Sequence, residues 1–328
     1  MVEYVFSKHM KHILKLLDRF FNKPIYKMSQ EEIDRLSSAT IPNNLITRKL
    51  MDKRADHIEK KTLRVPTADD SIYAYLFTKK EHSNQDDHEI KFDRPLILFL
   101  HGGGWIIGHT IVNDFLCSRL VAITNAVVLS VDYRLAPEYR FPAAVNDTYS
   151  ALVWAASHAT AWGASEKNLF VMGESAGGNL SAVMGLKALE EHGPEIAGQI
   201  LLYPVTDGRM NTESYRIHAN APQLDRRTME FFFENYKRSN KDIYNPYFSP
   251  ILAEEHTGLP PALIVTAEYD PLHDEGILYG KCLEHAGVSV EYLDCKQTIH
   301  GFINYPKATG IGETEEAISR FIERHINF

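Results

Sequence analysis

The segment Gly173-Glu174-Ser175-Ala176-Gly177 follows the apolar run NLFVMG (168–173) and precedes a stretch that reads as a helix. A serine between a buried strand and a helix, with glycine two residues before and two after, has the layout of a nucleophile elbow. The spacing has a steric reason: a turn this sharp brings strand and helix together, so the flanking positions need residues without side chains. The serine is then held in a strained backbone conformation with its hydroxyl exposed. The positive end of the following helix faces any anion that develops beside it. The bland alternative is a glycine-rich turn in which Ser175 only caps the helix.

Upstream, the run PLILFL ends in His101-Gly102-Gly103-Gly104-Trp105. Successive glycines let the backbone approach a ligand closely and present its amides. Acyl transfer passes through a tetrahedral intermediate with a negative oxygen, and losing one donor to that oxygen typically costs about 3 kcal/mol. The amides of Gly103 and Gly104, with that of Ala176, would make a three-donor oxyanion hole. A flexible turn is the simpler alternative. A phosphate loop is disfavoured because the Gly-Lys-Ser/Thr ending is missing.

A serine hydroxyl needs a base, and in a strand–elbow–helix arrangement of this kind the order is serine, acid, histidine. Asp270 follows the run PALIVTAE (261–268), and His300 lies in a loop beyond the run VSVEYL (288–293). Asp274 and Glu275 fall inside the next helix, where capping or salt bridging accounts for them. His273 is the rival base, but it is too near Asp270 in sequence to come from the separate loop required. His300 must be neutral to accept a proton, so activity is expected to fall at acidic pH.

These residues need elements to hold them at strand ends. PLILFL, AVVLSVDY, NLFVMG, GQILLYP, PALIVTAE and VSVEYL are short apolar runs, the texture of strands buried on both faces. Helical segments are expected between or after them at about 112–124, 143–161, 176–191, 273–286 and 313–326. TLRVP and SIYAYLF alternate and read as two further strands joined at Ala68-Asp69-Asp70. Buried strands alternating with helices predict an α/β fold with a mostly parallel sheet wrapped on both sides. Such sheets bind ligands beyond the carboxyl ends of their strands. The stretch EHSNQDDHEIKFDR is expected to be an exposed loop.

Between Asp207 and about Tyr247 the alternation breaks. Thr228 to Lys237 reads as a helix, and an insertion of this size at the carboxyl edge predicts a lid. At the N-terminus, Val5, Ile13, Leu14, Leu16, Leu17, Phe20 and Phe21 recur at near-helical spacing among charges, predicting an amphipathic helix that covers the protein itself, with a membrane or partner surface as the alternative. A second helical stretch runs from Gln30 to Leu36. The expected division is a catalytic domain of 51–207 and 247–328 and a helical cap of 1–50 and 208–246. Trp105, Phe231, Phe233 and Tyr236 are the residues expected to line a compact apolar acyl pocket, which predicts short chains, acetyl to about hexanoyl.

The joint pattern resembles the hormone-sensitive-lipase group of esterases, the bacterial family IV carboxylesterases of the α/β-hydrolase superfamily. It is carried by HGGGW (101–105), DYRLAPEYRFPAAVND (132–147), GESAGGNL (173–180), LLYPVTD (201–207), EYDPLHDEG (268–276) and IHGF (299–302), and it extends from about residue 90 to the end. The resemblance implies an α/β-hydrolase fold with an eight-stranded sheet, a cap built from the N-terminal segment and the insertion, and the same triad and oxyanion amides. It gives Glu138 and Asp147 structural roles and implies a homodimer through an edge strand or the last helix. The group usually has Asp before the nucleophile, where this chain has Glu174. Receptors of this ancestry lack part of the triad; all three residues are present here. Peptides, amides and thioesters are the competing substrates for the same triad.

The bulk composition fits this reading. The chain has 328 residues, 44% hydrophobic and 24% charged, with net charge −8. That balance disfavours nucleic acid or an anionic membrane as partner. Three cysteines without regular spacing disfavour a disulfide framework or structural zinc, and His9 and His12 lack further ligands. The mechanism calls for no cofactor and no metal. Lys8, Lys11, Lys15, Asp18 and Arg19 interrupt any signal-peptide core, and no apolar run is long enough to span a bilayer; the expectation is a cytoplasmic protein with a small ester as its substrate.

Overall fold

Strand β3 (Arg94–Leu100) shows how the sequence builds the sheet. Leu96, Leu98 and Leu100 enter one apolar cluster and Ile97 and Phe99 another, because successive strand residues point to opposite faces. A strand buried on both sides therefore needs an unbroken apolar run. The computed structural model describes residues 4–8, 10–12, 14–15, 23–37, 57–80, 94–108, 111–305 and 307–326.

The other strands are β1 (Ile58–Pro66), β2 (Ser71–Lys79), β4 (Val127–Asp132), β5 (Ala164–Glu174), β6 (Gly198–Leu202), β7 (Ala262–Tyr269) and β8 (Val290–Ile299). They form one sheet in the order β1-β2-β4-β3-β5-β6-β7-β8. β2 is antiparallel to β1 and β4, and all pairs from β4 to β8 are parallel. This is the expected eight-stranded, mostly parallel sheet. Its last strand is longer than the apolar run that predicted it: β8 continues to Ile299, immediately before His300.

The main helices are α1 (Gln30–Ser37), α2 (Ile111–Thr124), α3 (Ala143–His158), α4 (Ala176–Glu190), α5 (Glu213–Ile217), α6 (Arg226–Tyr236), α7 (His273–His285) and α8 (Ile311–His325). α3 and α4 pack on the face that carries Leu96, Leu98 and Leu100; α2 and α8 cover the opposite face. α7 packs beside α4, with Tyr279 and Leu283 against Leu201 and Ile264. Among the described residues no helix is long and apolar enough to cross a membrane.

The insertion after β6 carries α5 and α6, and its two ends are tied together. Buried Asn179 on α4 donates to the carbonyls of Val205, where the chain leaves, and Phe248, where it returns, both at 2.9 Å. The Gly208 amide also donates to Ser249 Oγ at 2.8 Å. The short turn Ile25–Lys27 packs on α6, and Ile25 and Ile33 join the cluster that holds Met229, Phe232 and Tyr236. The predicted N-terminal helix fits less well at its start. Val5 lies outside any helix and is exposed, its amide donating to the Tyr269 hydroxyl. Leu14 packs against the core; Ile13, Leu16, Leu17, Phe20 and Phe21 lie outside the described residues, as does 81–93 of the predicted loop.

Candidate active site

Three strand ends converge on Ser175. At the elbow the serine has φ 55° and ψ −117°, a backbone state that L-residues adopt only under constraint. The constraint is close packing. A Cβ at Gly177 would lie 1.9 Å from the Leu100 carbonyl oxygen, and one at Gly173 would lie 2.2 Å from that of Gly177. The Ser175 amide donates to Leu202 O at 2.9 Å, fixing the elbow to β6.

Ser175 Oγ lies 2.9 Å from His300 Nε2, and His300 Nδ1 lies 2.6 Å from Asp270 Oδ2. Asp270 is fully buried, and its Oδ1 accepts the Leu272 amide at 2.9 Å. With Nδ1 donating to that carboxylate, the imidazole presents the Nε2 lone pair to the serine hydroxyl. Ser175 and His300 are each 8% exposed. The rival His273 is elsewhere, between Asp274 Oδ1 at 3.0 Å and Asp294 Oδ1 at 3.3 Å. Its hydrogen bond to Asp294 raises its pKa from the ordinary 6.5 to about 9.

The structure brings the glycine loop to the same place. Gly103 and Gly104 have φ 102° and 60°, and among the described residues the amides of Gly103, Gly104 and Ala176 have no protein acceptor. Gly104 is also where the insertion meets the loop. A Cβ there would fall 2.2 Å from Phe232 Cγ and 2.4 Å from both Cδ atoms, so the ring of Phe232 lies face-on against the bare backbone.

The expected pocket residues require correction. Trp105 and Tyr236 are completely buried and stack on each other with centroids 4.3 Å apart and planes 1° from parallel. Phe233 and Phe248 pack against the same indole at 6.0 Å. Trp105 itself has φ 59°; the left-handed run through 103–105 reverses the chain, and the indole is enclosed in this pile with no exposed surface. Phe233 is buried with it, and Phe231 is only partly covered. Phe232, which lies between the two expected phenylalanines, is the residue that reaches the glycine loop. Helical spacing held the signal: Met229, Phe232, Phe233 and Tyr236 form one inward stripe, and Phe231 lies beside it.

The remaining acids are structural. Asp147 is buried and forks onto Arg134, with the closest contact at 2.7 Å. Glu138, by contrast, is exposed. Asp274 Oδ2 accepts the Ser214 amide at 2.8 Å, and Glu275 Oε1 accepts the amides of Thr206 and Asp207 at 2.7 and 3.3 Å. Both therefore hold the insertion to α7. Burial pushes the Glu275 carboxyl well above the usual range. No group of three or more His, Cys, Asp or Glu is placed to hold a metal among the described residues.

Sheet, elbow and strand-end histidine define an α/β hydrolase, and the chain belongs to the family described as alpha/beta hydrolase fold, whose model matches residues 97–304. Its relatives fit the hormone-sensitive-lipase group that its motifs resemble. Carboxylic ester hydrolase LipN of Mycobacterium tuberculosis is 43% identical over 241 residues, covering 70% of this chain and 64% of LipN. The ethyl acetate hydrolase of Pseudomonas putida is 34% identical, covering 69% of this chain and 71% of that protein. The crystal structure of a thermostable esterase from Pseudomonas putida superposes over the full length of both chains with a TM-score of 0.85 at 30% identity.

Proposed function

We propose that this chain is a serine carboxylesterase acting on short acyl esters, acetyl to about hexanoyl. The observation that carries the reading is the Ser175–His300–Asp270 chain of contacts at 2.9 and 2.6 Å, beside three amides that have no acceptor among the described residues. Ser175 Oγ attacks the ester carbonyl as His300 Nε2 takes its proton. The amides of Gly103, Gly104 and Ala176 hold the developing oxyanion. Asp270 fixes the tautomer and stabilises the imidazolium without taking the proton itself. His300 then protonates the departing alcohol, leaving an acyl-enzyme. Water, deprotonated by the same imidazole, releases the acid.

Esterase names among the relatives support the reaction class, and the ethyl acetate hydrolase supports small substrates. The tight seat of Phe232 on Gly104 supports a short acyl site. The test is hydrolysis of p-nitrophenyl acetate, butyrate, octanoate and laurate by the wild type and Ser175→Ala. The expected result is a maximum at acetate or butyrate and a loss of kcat of order 10⁶ in the variant, the scale seen when a triad serine is removed. Undiminished activity in Ser175→Ala would remove the serine from the mechanism, and a maximum at laurate would overturn the chain-length assignment.

A further inference from the structure

Glu174 precedes Ser175, and its side chain packs against Gly102. It is 4% exposed. Among the described residues its carboxylate has no lysine or arginine partner; it accepts three neutral hydrogen bonds instead. Tyr203 Oη donates to Oε2 at 2.8 Å, Asn304 Nδ2 donates to Oε2 at 2.6 Å, and Asn113 Nδ2 donates to Oε1 at 3.1 Å. A buried carboxylate without a cation is costly unless its oxygens are satisfied. The protein supplies donors from three separate places: α2, the end of β6 and the turn after β8.

Two of those donors lead to the histidine. Asn304 closes the turn Phe302–Asn304 directly after His300, its amide donating to Gly301 O at 3.0 Å. The ring of Tyr203 lies edge-on to the His300 imidazole at 4.8 Å and to Phe302 at 5.7 Å. Tyr203 is held at φ 37°, with its amide bonded to Val265 O at 2.6 Å. Burial, followed by the nearby Glu174 charge, pushes the Tyr203 phenol well above its ordinary value, so the hydroxyl remains a donor. Arg119 Nη2 donates to Ile303 O at 3.1 Å and steadies the same turn from the other side.

We propose that Glu174 is a positioning residue for catalysis: it clamps the turn after His300 and the ring of Tyr203 onto the back of the nucleophile elbow, and so holds Nε2 at hydrogen-bonding distance from Ser175 Oγ. The inference rests on the serine-esterase reading. In that reading the elbow and the histidine loop come from sequence positions more than a hundred residues apart and must keep one short contact. Glu174 touches both. The longer glutamate arm, compared with the aspartate usual in resembling proteins, allows one carboxylate to reach Asn113 on one side and Asn304 on the other.

The experiment is a kinetic cycle on the full chain with wild type, Glu174→Ala, Glu174→Gln, Asn304→Ala and Glu174→Ala/Asn304→Ala. Each is measured for kcat and KM on p-nitrophenyl butyrate and for the rate at which a fluorophosphonate labels Ser175. Labelling requires Ser175 Oγ to lose its proton to His300 and displace fluoride from phosphorus, so it reads the Ser–His geometry without ester binding. Misplacing a reacting group by an ångström costs on the order of 100-fold. Glu174→Ala is accordingly expected to lower kcat and labelling together by between about 10- and 100-fold, with KM nearly unchanged. Glu174→Gln keeps an oxygen for the Tyr203 and Asn304 donors and is expected to recover most of the loss. Asn304→Ala is expected to lower kcat alone but to add little in the Glu174→Ala background, because both changes break the same contact.

Independent, additive losses, or wild-type kcat in Asn304→Ala, would overturn the proposal. Should Glu174→Ala not fold, Asn304→Ala decides alone, since its partly exposed side chain can be removed without opening the core. A wild type that neither turns over the ester nor reacts with the fluorophosphonate rejects the serine-esterase reading itself; a reactive wild type with an equally reactive Asn304→Ala rejects only the role of Glu174.

Discussion

At Ser175 the chain accepts a backbone state that residues with side chains avoid, and the glycines around it show why the state persists. Gly177 leaves no space: any Cβ there meets the Leu100 carbonyl at 1.9 Å and that of His101 at 2.6 Å. Gly177→Ala must therefore push α4 off β3 or distort the elbow. We expect a loss of about 3 kcal/mol or more in urea unfolding, at the upper end of overpacking costs, together with loss of esterase activity. An alanine variant with wild-type stability would mean that the strand–helix contact is not tight. The residues around this contact were legible because chemistry restricts them to few types in one order. Trp105 and Tyr236 were not. Their apolar character was plain, but the direction of a side chain after three left-handed residues cannot be read from spacing.

Among the elements, the sheet strands announced themselves by texture, since burial on both faces demands an unbroken apolar run. The end of β8 was hidden, because Asp294, Lys296 and Gln297 interrupt its apolar residues. As the outermost strand, β8 has a neighbour on one side only, and polar residues are tolerated there. The insertion helix α6 is visible in the sequence, but it begins at Arg226, two residues before the expected Thr228. Its N-cap is Asp225, whose side chain accepts the Thr228 amide at 2.7 Å. Asp225→Ala should cost about 1 kcal/mol, the usual worth of such a cap. Because α6 carries Phe232 onto Gly104, the substitution should raise KM more than it lowers kcat. A stability change in the absence of any change in KM would separate the helix from the substrate site.

For the whole molecule, pH bears on stability through His273, which joins α7 to β8 through Asp294 and lies three residues beyond Asp270. Its pKa is raised to about 9 in the fold, first by the hydrogen bond to Asp294, against an ordinary value of 6.5. The same contact, with help from Lys296, holds the Asp294 carboxyl well below the usual range; the two shifts describe one interaction and are not additive. A group with a raised folded pKa stabilises fully below its unfolded value and loses that contribution as pH climbs through the folded value. The contribution of His273 is therefore complete below pH ~6.5 and fades toward pH 9. The side chains are 25% and 30% exposed, and solvent screening reduces the effect to ~1–2 kcal/mol. Urea unfolding of wild type and His273→Gln at pH 6 and at pH 9.5 isolates it. The stability gap between the two proteins should be larger at pH 6 by that amount and should nearly close at pH 9.5. A gap independent of pH would show that His273 acts by packing alone and that its contact with Asp294 contributes nothing through protonation.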